Sequence, residues 1–364
     1  LPFFASTSKV IGELFLNFLR LLSMPIIFLS IASTISGFTN LSNMKFLGRK
    51  VFKYTLITTV LAAFIALLFY LSIRPASGME QTVATTTQSP SFLDTLVGMF
   101  PSNIAKAFLE NNVFGVALIA TVMGLATLTL SEDNRSTIHN ILDAFFQMVL
   151  KITSYIIKLI PLGIWAFTTN FFLEVDSFGE KAHILGLYVA CVLGANIIQG
   201  FVVLPIIMKI KKVSPGNLAR HVYPALLTAF FSKSSSATLP LAIETCMKQK
   251  GMSRKVANFS LPICSVINMN GCAAFILITV LFVGTLSGVS FTFVDMLLWV
   301  VLASVAAIGN ASVPMGCYFL ASSFLIGMGV PLTMMGIILP VYTLIDMVET
   351  ALNVWSDLSI TTID

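Results

Sequence analysis

Residues 231–240 read Phe-Ser-Lys-Ser-Ser-Ser-Ala-Thr-Leu-Pro, a serine-rich run with one charge inside an otherwise apolar tract at about 222–247. Basic clusters flank this tract on both sides, at 209–220 and at 248–255. Lys and Arg clusters beside membrane spans mark the cytoplasmic side. Because both clusters belong to the same side, the tract between them must leave that side and return to it. The sequence therefore predicts a re-entrant helical hairpin with the serine run at its tip.

The composition of the whole chain indicates a membrane protein. Of the 364 residues, 57% are apolar and only 10% are charged, and the mean hydropathy is +0.93. Soluble domains carry about 25% charged residues. This excludes a cytosolic enzyme, a nucleic-acid-binding protein and a disordered chain. We expect an integral, multi-pass protein of the cell (inner) membrane. Its five cysteines show no ligand-like spacing and are read as small buried hydrophobes.

Tracts of about 20 apolar residues are long enough to span a bilayer as helices. Uniformly apolar tracts lie at about 11–38, 52–73, 112–131, 144–173, 183–208 and 256–287. Less uniform tracts, with Ser, Gly, Pro, Asn or Asp in their middles, lie at about 222–247, 293–328 and 331–363. Such interruptions are tolerated in broken helices or hairpins that are buried in protein. The segment 76–100 has no Lys or Arg and fits the outer face.

Two further motifs interrupt apolar tracts. Asn268-Met269-Asn270-Gly271 is expected to break a helix, and the freed carbonyls and Asn oxygens would suit Na⁺. A Gly kink with bridging Asn side chains is the alternative. Residues 309–316, Gly-Asn-Ala-Ser-Val-Pro-Met-Gly, are expected to form the tip of a second hairpin and to act as a gate. An ordinary turn outside the membrane is the alternative.

The last motif is an acidic stripe near the end of the chain. Its residues are spaced i, i+3, i+4, i+7 and i+11, which places them on one helical face: Asp346, Glu349, Thr350, Asn353 and Asp357. Carboxylates inside a membrane usually mark a functional site. An exposed amphipathic tail is the alternative. A membrane enzyme based on a Ser–Lys pair at 232–234 is disfavoured, because neighbours in sequence on a helix do not face each other.

The four motifs, in this order, resemble the dicarboxylate/amino acid:cation symporter family, which has the glutamate-transporter-homologue fold. Pro161–Phe167 and Met24-Pro25-Ile26 also look similar, so the resemblance covers nearly the whole chain and begins at the family's second transmembrane helix. The last-helix run is similar to that of the sodium:serine/threonine branch.

The resemblance implies an all-α polytopic membrane protein with transmembrane helices, two re-entrant helical hairpins, and scaffold and transport domains. It further implies a homotrimer with an elevator-type mechanism. Residues 1–73 would contribute scaffold and transport helices, 74–215 mainly scaffold and trimerisation helices, and 216–364 the core transport domain.

The family's site residues can be placed on this sequence by the same resemblance. Asp346 would hold the substrate ammonium group, and Ser235 and Ser236 would meet its α-carboxylate. The other implied substrate-binding residues are Cys272, Val313, Pro314, Glu349, Thr350 and Asn353. The implied Na⁺ ligands are Asp357 with the backbone of Asn268 and Asn353 in one site, and carbonyls of Val266–Asn268 and of Ile308, Gly309 and Ala311 in a second.

Departures from the family pattern bear on the substrate and on ion coupling. Glu349 stands where acidic amino-acid carriers have an arginine, which implies a small neutral substrate resembling Ser, Thr or Ala; Lys233 could neutralise it, so acidic and basic substrates stay open. Asn270 replaces a signature aspartate, and Leu61 and Ala62 lack the hydroxyls of a third Na⁺ site. We therefore expect a Na⁺-coupled amino-acid symporter, not an enzyme, that uses fewer than three Na⁺. The alternatives are an acidic amino-acid or dicarboxylate symporter coupled to Na⁺ or H⁺, and an ion channel.

Overall fold

The computed structural model describes residues 2–37, 45–76, 101–109, 113–159, 161–163, 165–166, 169, 178–248, 252–310, 312–313 and 315–363. Within these ranges all regular secondary structure is helical. The first helices are α1 (Pro2–Ser36), α2 (Lys45–Ile73), α3 (Ile104–Leu109), α4 (Val113–Leu128), α5 (Glu132–Ile157), α6 (Phe178–Ile198) and α7 (Leu204–Ile210). The remaining ones are α8 (Pro215–Ser232), α9 (Ser235–Met247), α10 (Arg254–Ile267), α11 (Asn270–Leu286), α12 (Phe293–Gly309), α13 (Gly316–Gly327) and α14 (Thr333–Ile363).

Four helical stretches of the described chain are long and apolar enough to cross a membrane. They are Gly48–Ile73, Ala182–Ile210, Val256–Leu286 and Thr333–Ile363. The third is the most enclosed, since 89% of its apolar window is buried inside the protein. Its second half, α11, packs against α2, α6, α12, α13 and α14 and forms the centre of the molecule. The helical structure and the long apolar helices confirm the expected all-α membrane protein.

The serine run forms a sharp turn between two helices that pack on each other. Helix α8 ends at Ser232, and Lys233 adopts a left-handed conformation with φ 53°. Ser234 is extended, and its Oγ accepts a hydrogen bond from the Ala237 amide at 3.1 Å, which caps α9. The predicted helix–turn–helix is confirmed. Its return to one side of the membrane stays a prediction.

The Asn-Met-Asn-Gly motif interrupts the third apolar stretch, as the sequence predicts. Helix α10 ends at Ile267, and α11 begins at Asn270. Between them Asn268 and Met269 leave the helical region, with ψ angles of 80° and 64°. The break frees backbone groups at the centre of the protein, where Asn268 and Met269 are 0% and 2% exposed. Those groups need polar side chains from elsewhere.

A second turn joins α12 to α13 and reaches the helix break. Ser312 and Met315 both have positive φ, 58° and 57°, so the chain reverses tightly there. The Ser312 hydroxyl donates to the carbonyl of Ser265. The predicted turn is confirmed, while its role as a gate stays a prediction. Farther from the turn, Trp299 and Phe324 meet edge to face at 5.2 Å between ring centroids.

Two apolar tracts differ from their predicted form. The tract at 331–363 is one continuous helix, and its polar residues are accommodated by burial within the protein rather than by a break. The tract at 144–173 is not one helix, since α5 begins at Glu132 and ends at Ile157. Two acidic residues in the first turn of α5 favour the early start. A turn then precedes Pro161, which has no amide proton for a continuing helix.

A short π-helix, Gln199–Val203, separates α6 from α7. The amide of Gln199 donates from Nε2 to the Thr58 carbonyl of α2 at 3.0 Å. The Gly200 carbonyl accepts a hydrogen bond from the Trp355 indole of α14 at 2.9 Å. This wide turn is therefore fastened on one side to α2 and on the other to α14.

Candidate functional site

Helix α14 carries the polar stripe into the protein interior. Glu349, Asn353 and Asp357 are only 1%, 4% and 3% exposed, and Thr350 is buried as well. Asp346, one turn earlier, is partly buried. Helices α8, α9, α10 and α11 pack around this helix. The predicted single polar face is confirmed, and the alternative of an exposed tail is wrong.

A small cavity lies where the two turns, the helix break and α14 meet. Its lining residues that the sequence predicted as substrate-binding are Ser235, Val313, Asp346, Glu349, Thr350 and Asn353. The other lining residues are Lys233, Met269, Asn310, Ser312, Met315, Gly316 and Cys317. All four polar segments of the sequence thus contribute to the lining, and Asn310 and Cys317 are among the lining residues that were not predicted as substrate-binding.

Two predicted substrate-binding residues in the described structure, Ser236 and Cys272, do not line this cavity. Ser236 is exposed at the start of α9. Cys272 is fully buried behind the cavity, where its sulfur accepts from Asn310 Nδ2 at 3.6 Å. Pro314 lies outside the described residues, as does the predicted ion ligand Ala311. The roles of all the site residues remain predictions.

The two carboxylates in the cavity, Asp346 and Glu349, differ in the partners around them. The Lys233 ammonium and the Thr350 side chain both interact with the Asp346 carboxylate. Neither carboxylate oxygen of Glu349 has a hydrogen-bond partner among the described residues. Its electrostatic neighbours are the Cys317 thiol and the carboxylate of Asp346. A buried carboxylate without such a partner is costly in its charged form.

Side chains of α14 bond to residues at the helix break and directly after it. Asn353 Oδ1 accepts from the Gly271 amide at 2.9 Å, and its Nδ2 reaches Met269 Sδ at 3.4 Å. Asn268 Nδ2 donates to Asp357 Oδ1 at 2.9 Å. These contacts bring the predicted ligands Asn268, Asn353 and Asp357 into one buried group. Oxygen-rich groups of this kind suit a hard cation such as Na⁺.

The predicted second ion site lies between the second turn and the break. Ile308 and Gly309 form the end of α12, and Val266 lies in the last turn of α10. The hydrogen bond from Ser312 to the Ser265 carbonyl holds the two segments together. In the described part of the chain, no group of three or more His, Cys, Asp or Glu side chains is arranged to hold a metal ion. The carbonyl ligands of a cation here stay a prediction.

Helix α2 supplies a hydroxyl that the sequence analysis missed. Thr58 Oγ1 donates to Asn268 Oδ1 at 3.3 Å, one helical turn before Leu61 and Ala62. Asn270 donates from Nδ2 to the Ser356 hydroxyl and reaches Asn268 Oδ1 at 3.5 Å. The amide that replaces the expected aspartate is therefore engaged with neutral partners. A threonine inside an apolar tract was the signal available for Thr58.

A sequence profile described as the sodium:dicarboxylate symporter family matches residues 1–363. The chain belongs to this family. The sequence resemblance is therefore confirmed over essentially the whole chain. As a sodium:dicarboxylate symporter family protein, it is a transport protein and not an enzyme, and the expected sodium-coupled symporter is confirmed at family level.

Relatives of this symporter family chain include proteins named as neutral and as excitatory amino acid transporters. It is 27% identical over 387 residues to the neutral amino acid transporter B(0) of Oryctolagus cuniculus, covering 95% of this chain and 71% of that protein. The human neutral amino acid transporter B(0) is also 27% identical, with the same coverage. An excitatory amino acid transporter of Caenorhabditis elegans is 25% identical over 402 residues, covering 95% of this chain and 78% of that protein.

Proposed function

We propose that this protein is a sodium-coupled amino-acid symporter whose substrate is small and neutral, of the Ser, Thr or Ala type. The observation that carries the substrate class is Glu349, a buried carboxylate in the cavity with no hydrogen-bond partner among the described residues. A substrate carboxylate beside it would be repelled by about 4 kcal/mol at 4 Å and an effective dielectric of 20. A hydroxyl or methyl side chain meets no such penalty.

The other cavity residues provide for the common part of an amino acid. The Asp346 carboxylate binds the α-ammonium group. The α-carboxylate lies toward the N-terminus of α9, where Ser235 and Ser236 offer amides and hydroxyls and the helix dipole favours negative charge. Thr350 and Asn353 complete the wall on α14. The unpaired oxygens of Glu349 then accept the hydroxyl proton of a serine or threonine side chain.

Na⁺ is carried as a co-substrate at the helix break. One ion is held by Asp357 together with the backbone of Asn268 and Asn353, and a second by carbonyls of 266–268 and 308–311. Because Asn270 is a neutral amide bonded to Ser356, a third, charge-dependent site is not formed. Transport therefore couples to fewer than three Na⁺, and H⁺ is left open as a further coupling ion.

The two turns serve as the tips of re-entrant hairpins, and the one at 309–316 is the gate. It closes over the cavity when Na⁺ and substrate are both bound. The core transport domain, residues 216–364, then moves by an elevator-type motion against a trimeric scaffold that is built mainly from 74–215. Residues 1–73 contribute to both parts, and the assembly lies in the cell (inner) membrane.

An acidic substrate is the second candidate, and Lys233 favours it. Lys233 lines the same cavity, and its charge acts on the Asp346 carboxylate. The relative named as an excitatory amino acid transporter supports the same alternative.

A thermal-shift panel separates these candidates. The purified protein is heated with each of the twenty amino acids, with Na⁺ and with K⁺ in its place. A ligand at a hundredfold excess over its Kd stabilises the folded state by about 2.7 kcal/mol. We expect Na⁺-dependent stabilisation by Ser, Thr or Ala. Stabilisation by Asp or Glu alone would overturn the neutral assignment, and no Na⁺-dependent shift with any amino acid would overturn the function itself.

A further inference from the structure

Two cysteines on different helices face each other at the edge of the cavity. Cys272 lies in the first turn of α11, and Cys317 lies in the first turn of α13. The Asn310 amide donates to both sulfur atoms, at 3.6 Å to Cys272 and 3.7 Å to Cys317. The two thiols are also close enough to affect each other electrostatically. The chain thus presents a preformed dithiol that joins the central helix to the second turn.

The dithiol differs from the other cysteines in its access to the cavity. Cys272 and Cys317 share a hydrophobic cluster with Cys191, and Cys246 and Cys264 lie in two further clusters. Of the five cysteines, Cys317 is the one that lines the cavity, where its thiol lies beside the Glu349 carboxylate. An ion that enters the cavity therefore meets a thiol, a second thiol behind it, and a carboxylate able to accept a proton. These features together indicate a ligand site rather than chance packing.

We propose that Cys272 and Cys317 form a binding site for a soft, thiophilic cation that prefers two-coordinate sulfur ligation, such as Hg²⁺, Ag⁺ or Cu⁺. Thiolates select soft ions. Two thiols suit linear coordination, and in the described part of the chain no cluster of three such side chains offers more ligands. On binding, each S–H bond breaks and each sulfur forms one bond to the metal. Both protons leave through the cavity, one of them by way of Glu349, and no electron is transferred.

Such a bridge would hold the second turn against α11. Ser312 and Met315 give that turn its tight reversal, and Cys317 follows it directly. A metal joined to both sulfurs ties the end of the turn to a fully buried helix. If the turn is the gate, a point that rests on the proposed function, the bound ion arrests transport. The binding itself does not depend on that function.

The test measures Hg²⁺ bound to the purified protein under reducing conditions before and after washing with a monothiol. A singly bound ion is exchanged by the wash, whereas one held by two sulfurs is retained until a dithiol removes it. We expect one retained Hg²⁺ per chain. Cys272→Ser and Cys317→Ser, made separately, should each lose it. The matched control, in which Cys191, Cys246 and Cys264 are all serine, should keep it.

Retention by either single variant, or its loss from the triple control, would overturn the proposal. A measurement on the unaltered protein guards against misfolded variants: Na⁺ with saturating serine should slow Hg²⁺ uptake, because substrate occupies the cavity beside Cys317. If the proposed function fails, serine gives no protection, yet the retained ion persists. If the dithiol site fails, no ion is retained, although serine still stabilises the protein in Na⁺.

Discussion

Replacing Glu349 by glutamine tests whether one buried charge sets the substrate class. The side chain is 1% exposed, and neither carboxylate oxygen has a hydrogen-bond partner among the described residues. Glutamine keeps the shape and one acceptor oxygen but removes the charge. The full repulsion of a substrate carboxylate about 4 Å away is about 4 kcal/mol, nearly a thousandfold in Kd. Lys233, which lines the same cavity, attracts that carboxylate in both proteins and already offsets part of the repulsion.

We therefore expect Glu349→Gln to improve aspartate affinity by about tenfold to a hundredfold, or about 1.4 to 2.8 kcal/mol. Serine affinity should fall by less than about tenfold, because an acceptor oxygen remains. The measurement is a titration of both amino acids against the purified protein in Na⁺, expressed as the ratio of the two Kd values. Glu349→Arg should move that ratio farther in the same direction, since it replaces repulsion with attraction.

The matched control is Glu244→Gln. Glu244 is on the surface, with its side chain 66% exposed, and pairs with Lys248 at 3.2 Å. This substitution removes the same charge far from the cavity, so the ratio should not change. A ratio in Glu349→Gln that stays within about twofold of the unaltered protein would refute the argument that Glu349 excludes acidic substrates, whatever happens to absolute affinity.

Four further predictions concern the same site. Asp346→Asn should abolish amino-acid binding because the ammonium loses its counter-charge, while the melting temperature without ligand stays near that of the unaltered protein; normal binding by this variant contradicts the assignment. Asp357→Asn should raise the Na⁺ concentration needed for half-maximal serine stabilisation by about tenfold or more, measured by thermal shift. Uptake against Na⁺ concentration should give a Hill coefficient below three, and a value near three would show that the third ion site exists. Gly271→Ala should destabilise the protein by about 1 to 3 kcal/mol, since its Cβ would lie 2.9 Å from Glu349 Cα; the control Gly186→Ala, with nothing within 4 Å of the new methyl, should not lower thermal stability.

The sequence predicted the parts of the fold that depend on local chemistry. The turn at Lys233, the break at Asn268 and the reversal before Gly316 all interrupt apolar tracts with residues that favour irregular backbone, and the structure has an interruption at each place. The polar face of α14 followed from residue spacing alone. Composition and hydropathy alone indicated a membrane protein. These signals are local, so one sequence is enough to see them.

What the sequence could not predict depends on contacts between distant residues. The pairing of Cys272 with Cys317 through Asn310 joins three segments of the chain. Neither cysteine stands out within its own segment of the sequence. The same is true of Thr58, whose hydroxyl meets Asn268 across 210 positions of the chain. The continuous course of α14 was also missed, because whether a polar residue breaks a helix depends on the partners that tertiary packing provides.

The π-helix at Gln199–Val203 limits which mutations this protein can tolerate during evolution. A π segment corresponds to an α-helix that has gained one residue, and each residue of an α-helix advances the direction of side chains by about 100°. That added residue therefore sets the direction of the side chains in α7 and in the basic cluster at 209–220. Loss of any one position in the segment would restore a regular helix, rotate its continuation by about 100° and leave the Trp355 indole without the Gly200 carbonyl. Single-residue deletions are therefore worse tolerated here than substitutions, an asymmetry that a deletion scan through this span would reveal.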